Sequence, residues 1–209
     1  MKVTKFTHSC LLIEDESASV LFDPGNFSWA DGQFNLGAIT KLDAIAVTHN
    51  HADHCSTDFI KALLTQFPAA AVIANDEVMG DLQKVGIKAD FSPSNQVLTP
   101  FTAPHAALPS GTAPKNMGYH FGTTLSHPGD SLSFDETRPV LALPYVAPWG
   151  SAAQAVAVCR QLKPQKVLPI HDWHLSEDGR QWYYDFLSRV LNDDGIEFVP
   201  LSDGQPVQL

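Results

Sequence analysis

The stretch Thr48-His49-Asn50-His51-Ala52-Asp53-His54 ends a short apolar run, Asp43 to Thr48 (DAIAVT). A run of that length and composition reads as a strand buried on both faces. Strand alternation carried past its end points His49 and His51 the same way, so both imidazoles reach one metal ion. Asp53 and His54 follow as the chain turns toward a helix, where they could serve a second ion. That helix is announced by Phe59, Ile60, Leu63, Leu64 and Phe67 at helical spacing. Three histidines and an aspartate within six residues would destabilise a core if left unpaired. A metal site uses all four.

Outward from this stretch the chain alternates short strands with helices. Lys2 to Ile13 and Ser19 to Phe22 are β-rich, separated by the polar turn Glu14 to Ser17. Asp23-Pro24-Gly25 stops the third strand, and a loop from Asn26 to Gly37 carries Phe27, Trp29 and Phe34. Ala70 to Ala74 returns to strand, and Glu77 to Val85 reads as a helix ended by Gly86. In the second half, β-like pieces lie at Gln96–Thr102, Gly118–Gly122 and Pro139–Leu143. A helical pattern at Ala152, Ala153, Val156, Ala157 and Leu162 feeds a strand, Lys166 to Ile170. The last helix places Trp182, Tyr183, Phe186, Leu187, Val190 and Leu191 on one face, and Glu197–Leu201 and Pro206–Leu209 close the chain as strands. Two packed sheets with helices outside satisfy this order in a single domain, residues 1–209.

Composition excludes several classes. With 44% hydrophobic and 17% charged residues in 209, the chain is neither disordered, nor collagen-like, nor a coiled coil. Thirteen Lys and Arg against 23 Asp and Glu leave a net charge of −10, which repels phosphate backbones and disfavours nucleic acid as a partner. A small anionic substrate stays open, because bound cations reverse the sign locally. Cys10, Cys55 and Cys159 cannot all pair within one chain, so a reducing cytosol is the expected home. The opening MKVTKFTHSC has no apolar core of a signal peptide, and runs such as Ala69 to Ala74 are too short for membrane insertion. The expectation is a cytoplasmic protein acting on a small molecule, with its oligomeric state unreadable.

The His-x-His-x-Asp-His pattern at His49, His51, Asp53 and His54 resembles the hallmark of the metallo-β-lactamase fold superfamily, and the likeness extends over nearly the whole chain. Thr7-His8-Ser9-Cys10 through Leu21-Phe22-Asp23-Pro24-Gly25 looks like that superfamily's first strands and first motif aspartate. Its later ligands find matches at His105 in Ala103-Pro104-His105-Ala106, Asp130 in His127-Pro128-Gly129-Asp130-Ser131, and His171 in Leu168-Pro169-Ile170-His171. Together with Leu143-Pro144-Tyr145 to Gly150, these details are similar to small bacterial hydrolases grouped with ascorbate-phosphate lactonases and N-acyl-phosphatidylethanolamine phosphodiesterases. The resemblance implies an α+β fold, a four-layer αβ/βα sandwich, holding two divalent metal ions. One ion takes His49, His51 and His105; the other takes Asp53, His54 and His171; Asp130 bridges. Zinc is the favoured ion, with manganese and iron also accepted by His/Asp donors. Two cations roughly 3.5–4 Å apart would lower the pKa of a shared water, making a bridging hydroxide the nucleophile, with Asp53 orienting it. The implied reaction is hydrolysis of an ester, lactone or phosphodiester.

Each carried-over position has a plainer alternative. His105 lies in a Pro-rich loop where histidines are often exposed; His120 competes with it, though Tyr119-His120-Phe121 reads as sheet. Asp130 could be a turn aspartate. His174 could replace His171 as ligand; the expectation is that His171 ligates from the strand end while His174 is catalytic, as a proton donor. His8, Asp23 and Trp149 are expected around the ligands or on the substrate, with His127 a weaker member of that group. Cys10 and Cys159 read as core, and Cys55 as a thiol at a helix start. The rival chemistry on this fold is a mononuclear iron dioxygenase of the persulfide type; a non-catalytic metal-binding protein comes last.

Overall fold

A computed structural model of the chain describes residues 1–29, 32, 34–91 and 97–209. Its strands fall into two six-stranded sheets. The first joins β1 (Lys2–Thr7), β2 (Cys10–Glu14), β3 (Ser19–Phe22), β4 (Ala44–Val47), β5 (Ala71–Ala74) and the closing β12 (Pro206–Gln208), in the order β12-β1-β2-β3-β4-β5. The second joins β6 (Leu98–Thr102), β7 (Met117–Phe121), β8 (Leu125–His127), β9 (Val140–Pro144), β10 (Lys166–Ile170) and β11 (Glu197–Phe198), in the order β11-β10-β9-β8-β7-β6. Strands β3, β4 and β5 run parallel, as do β8, β9, β10 and β11.

Side-chain alternation builds the layers. Leu11, Ile13, Val20, Phe22, Ala44 and Ala46 meet Tyr119, Phe121, Leu125, Ala142, Leu168 and Ile170 between the sheets. The intervening residues Leu12, Leu21, Ile45 and Val47 face outward under α2 (Thr57–Gln66) and α3 (Asp76–Lys84). On the far side, Leu141, Leu143 and Val167 pack under α4 (Ala152–Leu162) and α5 (Glu177–Asp193). The result is the expected four-layer αβ/βα sandwich. Both parallel runs end on the same rim, where the C-terminal ends of β3, β4, β8 and β10 open toward each other.

Some boundaries differ from the sequence reading. The three-residue β8 carries too little pattern to be read alone. Helix α5 begins at Glu177 because Ser176 caps it, accepting from the Gly179 amide. Its buried residues are Tyr184, Leu187 and Leu191, whereas Trp182 stays 63% exposed and stacks on Phe186. The face is rotated because Tyr184 reaches a buried polar cluster. β11 stops at Phe198 instead of Leu201, and Gln96 lies outside the described residues. A short helix α1 (Asn26–Trp29) occupies part of the expected loop. Among the described residues, no helix is long and apolar enough to cross a membrane.

The cluster that rotates α5 also ties the sheets together. Lys5 on β1 is fully buried, and its Nζ lies 2.5 and 2.7 Å from the Asp172 carboxylate beyond β10. Tyr184 and Tyr145 donate to the same carboxylate at 2.9 and 3.2 Å. Burial and the Asp172 charge push both phenols far above their usual range, so they remain donors. Removing one partner of such a pair leaves the other charge buried and uncompensated, so Asp172→Asn should destabilise the fold by about 3–5 kcal/mol. Urea denaturation checks this; a loss below ~1 kcal/mol would mean the pair is not what joins the sheets.

Candidate metal centre

Every sequence-predicted ligand arrives at the shared rim. His49 to His54 follow β4, His105 follows β6, Asp130 follows β8, and His171 is the first residue after β10. His8 sits in the turn between β1 and β2. Two groups result. His49, His51, His105 and Asp130 offer donor atoms within 4.8 Å of one another, and so do His8, Asp53, His54 and His171. His8, Asp23 and His171 hold positive φ values of 60, 45 and 68°, a conformation ordinary side chains avoid. Strain of this kind gathers where a site over-determines the backbone.

Asp23 organises the motif from behind. Fully buried, its carboxylate accepts from the Thr48 amide at 2.8 Å, the Thr48 hydroxyl at 2.8 Å and His54 Nδ1 at 2.7 Å. Since the Thr48 hydroxyl spends its proton on Asp23, its oxygen can only accept from His49 Nδ1, 3.0 Å away. His105 Nδ1 donates to the Ala106 carbonyl at 2.7 Å, and His171 Nδ1 to the Val146 carbonyl at 3.1 Å. Four imidazoles therefore commit Nδ1–H to oxygen and turn Nε2 inward. This is the arrangement by which metal-binding histidines are oriented.

What Nε2 meets inside is unfavourable without a cation. Asp130 Oδ2 lies 3.2 Å from His171 Nε2, 3.6 Å from His105 Nε2 and 3.8 Å from His49 Nε2. His49 Nε2 also faces His51 Nδ1 at 3.1 Å, and with the His49 proton on Nδ1 only a proton on His51 Nδ1, or a cation, satisfies that nitrogen. His54 Nε2 and Asp130 Oδ1 approach to 3.0 Å without the alignment of a hydrogen bond, and His54 Nε2, His105 Nε2 and Asp130 Oδ1 are buried with no partner. Burial opposes charge on His54, but Asp130 and Asp23 outweigh it and hold the imidazole well above its usual pKa. His49, buried beside the His54 charge, is held well below. A proton on His54 thus does part of what a bound cation would do. The donor set, two inward-facing clusters of imidazoles and carboxylates, fits divalent metal ions.

His8 differs from the other four. The Trp173 amide can only donate, and it approaches His8 Nδ1 at 3.4 Å, so the proton sits on Nε2 and points at Asp53 Oδ2, 3.2 Å away. Burial lowers the His8 pKa to about 4, which keeps this ring neutral. His127 has the same sense: its Nδ1 accepts from the Gly129 amide and its Nε2 donates to the Ser9 carbonyl, while the ring stacks on Phe22. His120 is a sheet residue on β7 with Nδ1 on Ser126 Oγ at 2.8 Å. The His174 ring lies 6.2 Å from that of His171 and belongs to neither cluster.

The approaches divide. Trp149 donates its indole N–H to Asp130 Oδ2 at 3.2 Å, with its ring 5.9 Å from His105 and 5.2 Å from His171. The loop from Ala106 to Met117 returns to the site, where Ala113, Pro114 and Met117 line a cleft of about 390 Å3 with His105. Of the aromatic loop, Phe27 packs 5.3 Å from His8, but Trp29 stacks on Phe59 in the outer core and Phe34 packs tilted against the same ring. Both are half-buried against the apolar face of α2. Ala30, Asp31 and Gln33 lie outside the described residues. Cys10 and Cys159 are buried, and Cys55 is partly so.

Some supports had weak signals or none in the sequence. Asn116 donates to the Ala103 and Pro128 carbonyls and accepts from the Asp130 amide, tying the His105 and Asp130 loops. Asn75 joins the Thr48 and Lys115 carbonyls while capping α3, a role its place before Asp76-Glu77-Val78 would have suggested. Gly25 lies so close to the motif that an added Cβ would fall 1.7 Å from the Asp53 carbonyl oxygen.

Known proteins share this architecture. A Mycobacterium tuberculosis protein, Rv0786c, is 33% identical over 205 residues, spanning 93% of this chain and 94% of its own. A UPF0173 metal-dependent hydrolase from Polaromonas is 26% identical, with 83% of this chain and 76% of the relative covered. The metallo-β-lactamase fold protein YhfI of Bacillus subtilis superposes with a TM-score of 0.66 at 18% identity, over 99% of this chain and 98% of that one. The family described as the beta-lactamase superfamily domain matches residues 2–171, and the chain belongs to it.

Proposed function

We propose that the protein is a hydrolase using two zinc ions to cleave an ester, lactone or phosphodiester bond of a small molecule. The observation that carries this reading is the set of inward-facing Nε2 atoms around Asp130, of which those of His54 and His105, like Asp130 Oδ1 itself, are buried without a hydrogen-bond partner. His49, His51 and His105 would hold one ion, Asp53, His54 and His171 the other, with Asp130 shared. Two divalent cations there would supply Lewis acidity toward the scissile oxygen and a water made acidic near neutral pH. The chain's own groups do the rest. Trp149 N–H holds Asp130 Oδ2 in place. His8, neutral with its proton on Nε2, fixes the Asp53 carboxylate, which accepts a proton or orients a water. His174, its ring 6.2 Å from that of His171, would give a proton to the leaving group.

Zinc-loaded protein should retain close to two equivalents after desalting, and Asp130→Asn together with His54→Ala should hold fewer than one. Elemental analysis checks both; a plateau at one equivalent in the unmutated protein would refute a binuclear centre. Retention of iron with oxygen consumption would instead support the dioxygenase.

Two pairs of variants separate ligands from supports. His171→Ala should lose one metal and nearly all activity, while His174→Ala should keep both and slow poor leaving groups by about 10²-fold or more. Loss of metal in His174→Ala with both retained in His171→Ala would reverse the assignment. His8→Ala should keep both metals yet lose about 10–100-fold in rate, and His8→Gln, which keeps an N–H near Nε2, should recover much of it. Loss of a metal in both His8 variants would make His8 a ligand.

A further inference from the structure

We infer that the substrate is an uncharged ester or lactone bearing a flat apolar group that lies against Trp173 and Phe27. This rests on the hydrolase reading above and selects within it. Trp173 and Phe27 stack with ring centroids 3.9 Å apart and planes 10° from parallel. Phe27 is also 5.3 Å from the His8 ring, and the Trp173 amide meets His8 Nδ1. The pair therefore stands directly beside the Asp53–His54–His171 cluster. Trp149 flanks the other side, against His171 and His105. Trp173 nonetheless leaves 49% of its surface in water. A large aromatic face held open beside a reactive cluster gains burial only when something flat and apolar covers it.

Charge selects the same substrate. An anionic phosphodiester is ordinarily gripped by Arg or Lys as well as by metal. All 13 Lys and Arg lie among the described residues, and none forms an ion pair or hydrogen bond with any residue of the two clusters. Lys115, in the cleft beside His105, is paired with Asp76 at 2.5 Å. Lys5 and Arg180 are engaged by Asp172 and Asp203. An acyl carbon needs none of these. Water oxygen bonds to that carbon as the acyl C–O bond breaks, its electron pair leaving on the alcohol oxygen, which takes up the proton that the water gives up.

The test compares dihydrocoumarin with δ-valerolactone, lactones that differ by a fused benzene ring, and adds bis(p-nitrophenyl) phosphate as an aromatic anion. On zinc-loaded protein, KM for dihydrocoumarin should lie about fivefold below that for δ-valerolactone. Trp173→Ala should close most of that gap by raising the dihydrocoumarin KM, and Trp173→Phe should keep it. KM for the phosphodiester should exceed that for dihydrocoumarin despite its two rings. Saturation-transfer NMR on metal-free protein isolates binding from chemistry: dihydrocoumarin's aromatic protons should receive saturation, and lose it in Trp173→Ala. Equal KM values for the two lactones, a gap that survives Trp173→Ala, or a lower KM for the phosphodiester would overturn the inference. Binding through Trp173 with no turnover of any of the three by zinc-loaded protein would leave the aromatic seat standing and overturn the hydrolase reading instead.

Discussion

The buried carboxylate of Asp23 is the constraint on which the site depends. It stands at the end of β3 in a left-handed backbone conformation and accepts three hydrogen bonds, two from Thr48 and one from His54. Those bonds fasten the end of β3 to the motif that follows β4. They also settle proton positions, since the hydroxyl that donates to Asp23 must accept from His49. A single carboxylate therefore orients one imidazole in each cluster, His54 directly and His49 through Thr48. Gly25 completes the arrangement by letting the backbone approach the Asp53 carbonyl closer than any side chain permits.

The other half of the site comes from the second sheet, and the two halves need their own tie. Lys5 and Asp172 supply it in the layer beneath, while the His171 amide donates to the His8 carbonyl at 3.2 Å in the layer of the site itself. A buried ion pair is weak evidence for net stability, because desolvation offsets most of its Coulombic gain. Its value here is geometric. Apolar residues between the sheets allow small sliding motions, whereas a bidentate pair supported by two tyrosine hydroxyls has one good arrangement. A sliding of even 1 Å would move His171 relative to Asp53 by more than the donor distances of a metal ion between them would tolerate, and would shift His8 relative to His171.

Much of this could be read from the chain. The dense His/Asp stretch after an apolar strand, the polar residue closing Val167–Ile170, and the alternation of β1 to β4 are local signals, and the structure brings His49, His51, Asp53, His54 and His171 to one rim. What escaped was non-local or geometric. Lys5 and Asp172 are 167 positions apart, and nothing in MKVTKFT distinguishes a lysine that will be buried from one that faces water. Trp29 and Phe34 were indistinguishable by composition from Phe27, yet only Phe27 reaches His8, because Phe59 captures the other two. The rotation of α5 follows from one hydroxyl, that of Tyr184, outweighing the larger apolar surface of Trp182.

His8 illustrates how far residue identity falls short of chemistry. By position and ring contacts it belongs with Asp53, His54 and His171, and a count of nearby donors makes it a ligand. The proton points the other way. A backbone N–H cannot accept, so Nδ1 must, and the nitrogen nearest the cluster carries hydrogen, whereas His49, His54, His105 and His171 hold their Nδ1 protons on oxygen behind them. A ring in that state repels a cation at Nε2 and attracts an oxygen. Of the six histidines in the two clusters, four turn Nε2 inward and one, His8, points a proton outward from Nε2, and the division is made by what lies behind each ring: a carboxylate, a hydroxyl and two carbonyls for the four, an amide for His8; the sixth, His51, meets His49 Nε2 through its Nδ1.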